Sequence, residues 1–173
     1  MFSVLSFSYK GLVMNDSRFE VLSQSKLAAE LNPDQCRTLA ALIEMHDYQE
    51  GEVLVRERTS DENLQVIIHG SLGVIKHAGT PEQVLLNTIT AGNFAGELGF
   101  MDNTERYASL VALMPTQTFT ISRTHLETLL NTEPHIVYNV MRAILRAAHQ
   151  VQYRLSMERS ELTNYIYKQQ GRY

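Results

Sequence analysis

The sequence predicts a mainly β member of the α+β class, an antiparallel sandwich or barrel with helices before it and one long helix after it. Three observations predict this. Short strand-like runs with closely spaced turn residues fill the middle of the chain, roughly 48–122. A helix-start pattern, "LNPDQ", precedes them at residues 31–35. A run from Pro134 to about Lys168 has no internal Pro or Gly and repeats its apolar residues at helical spacing.

The bulk properties agree with a folded domain. The 173 residues suit one domain with an appended element, and 44% hydrophobic residues against 20% charged ones suffice for a real core. A net charge of -4 argues against gripping nucleic acid through overall basicity. The single cysteine, Cys36, excludes an internal disulfide and a multi-cysteine zinc site, and its place on an apolar helix face suggests packing. The start, "MFSVLSFSYKGLVM", has no basic residue ahead of its apolar run and is interrupted by Lys10. It therefore reads as neither a signal peptide nor a membrane span, and the expected location is the cytoplasm, with no membrane partner. The expected organisation is an N-terminal extension over 1–16, a β domain with flanking helices over 17–132, and a long helix over 133–173.

Element by element, a short helix is expected within Phe19 to Glu30. The next begins with Asn32 as cap, Pro33 in the first turn and Gln35 closing a capping box. Cys36, Leu39, Ala40 and Ile43 continue at helical spacing, and the helical reading runs on toward Tyr48. "EGEVLVRE" pairs a turn at Gly51 with a strand. "LQVIIHGSLGVIKH" reads as two strands joined as a hairpin at Gly70-Ser71. "EQVLLNTIT" is a strand ending in the turn Ala91-Gly92-Asn93, and "YASLVALMPTQTFTIS" gives two more strands split at Pro115-Thr116. Thr124 with Glu127 is expected to cap a short helix through Leu130. In the last helix Val137, Met141, Ile144, Ala148, Val151, Leu155, Leu162 and Tyr165 fall at alternating steps of four and three with one miss, at Glu158, a coiled-coil spacing. The first two turns suit packing on the chain's own barrel. Beyond Val151 the domain is too small to cover the stripe, so the expected partner is the same helix of a second copy.

"FAGELGFMDNTERYASLV", from Phe94 to Val111, sets a Gly-Glu step and an arginine between apolar stretches. It resembles the phosphate-binding cassette of the cyclic nucleotide-binding domain family, the effector module of the catabolite activator protein. "YQEGEVLVRERTSDENLQVIIHGSLGVI" is similar to the family's first barrel strands, with Gly51, Glu52, Asp61, Leu64, Ile67 and Gly70 at the usual places, and "TEPHIV" resembles the start of its long helix. The resemblance covers about Phe19 to Leu155. It implies an antiparallel jelly-roll barrel and a site in which Gly96, Glu97, Leu98 and Arg106 hold the ligand. The physics is compatible. A short helix beginning near Gly96 offers free backbone N–H groups, and glycine admits close approach. Glu97 can accept from a ribose 2′-hydroxyl, and Arg106 can pair with a cyclic phosphate through its planar fork. The structural alternative is a Glu97–Arg106 ion pair that merely pins the cassette.

Four positions depart from the family pattern. Tyr107 stands where a small residue, often bearing a hydroxyl, is favoured; its ring either fills the pocket or lies outside and lends its hydroxyl. Val151 and Gln152 stand where small hydroxyl residues contact the purine; Gln152 retains a way to bond a base edge, while Val151 can only pack. Arg58 stands where the family often has glycine. The chain ends at "YKQQGRY", where the activator continues into a helix-turn-helix domain, so no DNA binding by this chain itself is expected. Arg142, Arg146, Arg154 and Arg159 are expected to be solvated or to flank the seam.

The function implied is a non-enzymatic, stand-alone sensor. It binds cAMP or cGMP as ligand, uses no cofactor or metal, and signals through the C-terminal helix to its dimer seam or to a docked protein. The alternative is a degenerate module in which Tyr107 plugs the pocket and the protein acts as a dimerising scaffold. A cupin-like metal enzyme finds little support: no His-x-His pair occurs among the six histidines, and no Gly-x-Ser-x-Gly elbow or P-loop is present.

Overall fold

The computed structural model describes residues 17–170, with side-chain burial through residue 165, so the expectations for residues 1–16 lie outside the described residues. Helix α1 covers residues 17–23 and is followed by a 3-10 turn, Lys26–Ala28. Helix α2, Pro33–Ala40, starts as its sequence directs. Asn32 Oδ1 accepts from Gln35 N at 2.9 Å, and Gln35 Oε1 accepts from Asn32 N at 3.1 Å. Cys36 is buried on its inner face, and that burial pushes the thiol pKa up.

Eight strands form two four-stranded antiparallel sheets. They are β1 (Glu44–Tyr48), β2 (Val53–Val55), β3 (Asn63–His69), β4 (Ser71–Lys76), β5 (Val84–Thr90), β6 (Phe94–Ala95), β7 (Ser109–Ala112) and β8 (Thr116–Ser122). One sheet has the order β1-β8-β3-β6 and the other β2-β7-β4-β5. The jelly-roll expectation holds, and the helices add a third layer. Leu64 and Val66 of β3 and Phe119 and Ile121 of β8 pack against Leu22, Leu39, Ile136 and Val140 from the helices. Ile67 faces the other way, into a cluster with Leu72, Val74 and Leu110 between the sheets. Strand β3 is buried on both faces, so residues 64–67 do not alternate with exposed positions; the one polar residue among them, Gln65, is satisfied by the Thr118 hydroxyl, which donates to its Oε1 at 3.2 Å.

Three local expectations are corrected. The segment Glu44–Tyr48 is strand rather than helix: α2 stops at Ala40, and β1 pairs with β8 from Glu44↔Thr120 to Tyr48↔Thr116, a long-range ladder that outweighs the local helical pattern. Gly70-Ser71 is not a hairpin turn, because β3 and β4 belong to different sheets and β4 pairs with β5 and β7. Gly70 is the corner where the chain changes layer. It has φ 87°, and a Cβ there would lie 2.7 Å from Pro115 O. Helix α4 (Arg123–Glu127) is capped by Ser122, whose Oγ accepts from His125 N at 3.1 Å; the Thr124 hydroxyl donates instead to the Glu62 carboxylate.

Helix α5, Pro134–Gln170, spans 37 residues and about 55 Å. Ile136, Val140 and Ile144 are buried against the other helices and the β1-β8-β3-β6 sheet, each worth about 1.5–3 kcal/mol by transfer from water. From Val151 onward the apolar stripe is uncovered: Val151, Leu155, Leu162 and Tyr165 are all exposed in the single chain. Two arginines of the buried half converge on one acid. Arg142 Nη1 lies 2.7 Å from Glu30 Oε2, and Arg146 Nη1 pairs with Glu30 Oε1. Among the described residues, no helix is long and apolar enough to cross a membrane.

Candidate functional site

The site is assembled around a six-residue helix. Strand β6 brings the chain to Gly96, whose φ of 87° only glycine adopts without strain, and α3 (Glu97–Asp102) begins at the next residue. Phe100 anchors α3 in the helical core, and Asn103, itself left-handed at φ 64°, ends it by donating to Gly99 O at 3.1 Å. Asp102 accepts from the Thr104 hydroxyl at 2.8 Å and from its N–H at 3.1 Å, bonds that lower its pKa and fix the loop toward Arg106. Helix geometry leaves the first N–H groups of α3, at Glu97, Leu98 and Gly99, without intrahelical acceptors.

Arg106 lies beneath this turn at 7% exposure. Its Nη2 donates to Asp61 Oδ2 at 2.8 Å, Asn63 O at 2.8 Å and Asp61 O at 3.1 Å. The ion pair and two carbonyls make a buried guanidinium tolerable. The Glu97–Arg106 pair weighed from sequence is not formed; Asp61 takes that role, 45 positions away, and Glu97 makes no hydrogen bond or ion pair among the described residues. One edge of the fork stays uncommitted, since Arg106 Nε is buried and without a partner. The guanidinium lies against the backbone of the turn: a Cβ at Gly96 would sit 2.6 Å from Arg106 Cζ, and one at Gly99 3.2 Å from it. A Cβ at Gly96 would therefore displace the guanidinium, while one at Gly99 would only crowd it.

The main chain holds Arg106 from the other side. Arg58 N donates to Arg106 O at 2.7 Å, and Arg106 N donates to Thr59 O at 3.0 Å. This clasp needs Arg58 at φ 62°, a left-handed conformation. The preference for glycine noted at this position thus has a physical cause here.

Above the guanidinium opens a cavity of about 490 Å³, within the range of small-ligand sites. Gly96, Glu97, Leu98, Arg106 and Tyr107 all line it, so five of the six residues singled out from sequence converge. Gln152 is not in the wall; it lies on the exposed part of α5, where its carbonyl accepts from Ser156 Oγ at 2.9 Å. The α5 wall is made by Ala147, Ala148, Gln150, Val151 and Arg154. Tyr107 stands at the rim, 61% exposed, and leaves the cavity open. Partial burial, and then the charge of nearby Glu97, raise its phenol pKa. Lys26, on the 3-10 turn, reaches the opposite edge and donates to Asn93 Oδ1 at 2.9 Å. Among the described residues no cluster of His, Cys, Asp or Glu is arranged to hold a metal.

Sequence reading placed Asp61 in the barrel but missed its pairing with Arg106. The available sign was the Asp-x-Asn start of β3, where Asp61 Oδ1 accepts from Asn63 N and Nδ2 in a tight turn.

The molecule is thus a two-layer jelly roll that packs a glycine-started turn on a buried arginine. The family model described as "Cyclic nucleotide-binding domain" matches residues 45–133, just over half of the chain, and the chain belongs to that family. A cGMP-dependent protein kinase, isozyme 1, of Drosophila melanogaster is 24% identical over 107 residues, covering 61% of this chain and 14% of that protein. A cAMP-dependent protein kinase regulatory subunit of Blastocladiella emersonii is 29% identical over 91 residues, covering 53% of this chain and 23% of that protein. The chain thus spans less than a quarter of the length of either relative. Among solved structures, a cyclic nucleotide-binding domain from Methylobacillus flagellatus superposes with a TM-score of 0.70 at 25% identity, covering 84% of this chain and 81% of that one. The Thermus thermophilus catabolite activator protein gives 0.61 at 20% identity, over 77% and 62% of the two chains, and shows the shared fold.

Proposed function

We propose that this chain is a non-enzymatic sensor module that binds cAMP or cGMP in the cavity between the cassette and α5 and reports occupancy through α5. One observation carries the reading: a buried arginine with an unpartnered Nε lies against the free N–H groups of a glycine-started turn, beside an uncommitted carboxylate. An anion with a vicinal hydroxyl satisfies all three. The cyclic phosphate takes the N–H groups of α3 and pairs with the Arg106 guanidinium that lines the cavity, and Glu97 accepts from the ribose 2′-hydroxyl. Ala147, Val151 and Arg154 form the facing wall, so a ligand that favours one seat of α5 shifts the helix toward it. The exposed stripe beyond Val151 is where a second copy, or a docked protein, reads that shift. The buried free thiol of Cys36 suits a reducing compartment, and we place the module in the cytoplasm.

A second reading, a ligand-free dimerising scaffold, draws on one feature, the bulky Tyr107 at the mouth. Calorimetric titration of cAMP and cGMP decides between them. The sensor binds at least one of the two, and Arg106→Lys, which keeps a charge opposite Asp61 but loses the fork, weakens it by about tenfold or more. No heat from either nucleotide at millimolar concentration selects the scaffold.

A further inference from the structure

We infer that the bare half of α5 pairs with α5 of a second copy, parallel and in register, and that Glu158 of each helix forms an ion pair with Arg159 of the other. The pairing names the occupant that the proposed function leaves open, and it needs no bound nucleotide. Steps of four and three put Leu155 and Leu162 at heptad position a, and Val151, Glu158 and Tyr165 at position d. Glu158 shares one open groove with Glu161, Leu162 and Tyr165, so the acid lies on the stripe itself. A carboxylate in an apolar seam is costly unless it is paired. Its own helix offers Arg154, whose Nε lies 3.9 Å from Glu158 Oε1, with both side chains 59% exposed. A pair that long and that wet contributes little. Arg159, the next residue, is exposed and makes no ion pair among the described residues. It falls at position e. In a parallel pair a d side chain enters a hole on the facing helix that residue e borders. Glu158 therefore meets the partner's Arg159, and the two-fold axis repeats the contact. Two identical helices would otherwise set Glu158 against Glu158, and Arg154 against the partner's Arg159. Each carboxylate, placed between those two guanidinium groups, relieves both repulsions. A slip of one heptad in either direction would put Gln152 or Ile166 where the partner's Arg159 is needed, and neither is charged. The charges thus select one register as well as one partner.

Sedimentation equilibrium of the full chain tests this, with Glu158→Arg, with Arg159→Glu and with both changes in one chain. Each single variant sets like charges at both crossings and is expected to dimerise roughly tenfold or more weakly than the wild type. The double variant restores opposite charges and recovers the wild-type affinity. An equimolar mixture of the two single variants also recovers, as a heterodimer, because one copy then carries both cations and the other both acids. The barrel's thermal unfolding stays unchanged in every variant, since both residues are exposed. Single variants that dimerise as tightly as the wild type overturn the crossed ion pairs, and so does a double variant or a mixture that fails to recover. A wild type that stays monomeric at high concentration removes the second copy and the proposal with it, whether or not the same protein binds cAMP or cGMP in calorimetry.

Discussion

Arg58 is held left-handed so that its N–H can reach the carbonyl of Arg106, and a side chain in that region costs about 1–2 kcal/mol relative to the ordinary conformations. Its side chain is exposed, so little packing is lost when it is removed. Arg58→Gly is therefore expected to stabilise the fold by about 0.5–1 kcal/mol, after allowance for the greater freedom of glycine in the unfolded chain. Urea denaturation measures this directly: the midpoint rises with the slope unchanged. The same neighbourhood shows how far the site could be read from residues alone. The Gly96-Glu97 step and Arg106 stand out because they interrupt apolar runs, and they do converge. The Asp61–Arg106 pair stayed hidden, because nothing local links positions 45 apart and a nearer acid, Glu97, offered a simpler partner. Of the two α5 positions matched by counting, Val151 lines the cavity and Gln152 does not, because successive residues turn about 100° around a helix and the next one faces solvent.

Among the elements, α5 divides into a seated half and a bare half, and Glu30 marks the seat. The Glu30 carboxylate takes both Arg142 and Arg146, while its carbonyl accepts from Asn139 Nδ2 at 3.3 Å. Its turn begins at Lys26, which is bonded to Asn93 at the edge of the cavity. The 3-10 turn is therefore a strut between the cassette side of the site and α5. Glu30→Gln removes both ion pairs. Because the arginines are partly exposed, the expected cost is modest, about 0.5–1 kcal/mol in dilute buffer, shrinking as salt screens the charges. Urea titrations of both proteins at low salt and at 1 M salt check this; a gap that does not narrow would show that packing, and not charge, seats the helix. At this scale α5 and most strands were legible from period and punctuation, whereas β1 was not. Residues 44–48 follow a strong helix start, and only the ladder to β8 makes them a strand. Strand β6 is two residues long and carries no periodicity to detect.

For the whole molecule, the far half of α5 is bare in the single chain. Val151, Leu155, Leu162 and Tyr165 lie in one heptad register, with Glu158 at the position between Leu155 and Leu162, and all four are exposed; a second α5 would bury them as a seam. Sedimentation should show a dimer for the wild type and a monomer for the double variant Leu155→Glu, Leu162→Glu, with the barrel's thermal unfolding retained. A wild type that sediments as a monomer at high concentration would assign the stripe to another partner. The layer change at Gly70 carries a different consequence. Strands β3 and β4 are consecutive yet belong to opposite sheets, and β7 and β8 repeat the arrangement across Pro115. Each sheet is interleaved from distant stretches of polypeptide, so a break at Gly70 yields two fragments that both lack strands of both layers. Neither piece can mature alone: the two halves become native together or not at all, and splitting this gene at residue 70 should produce fragments that are recovered only when co-expressed.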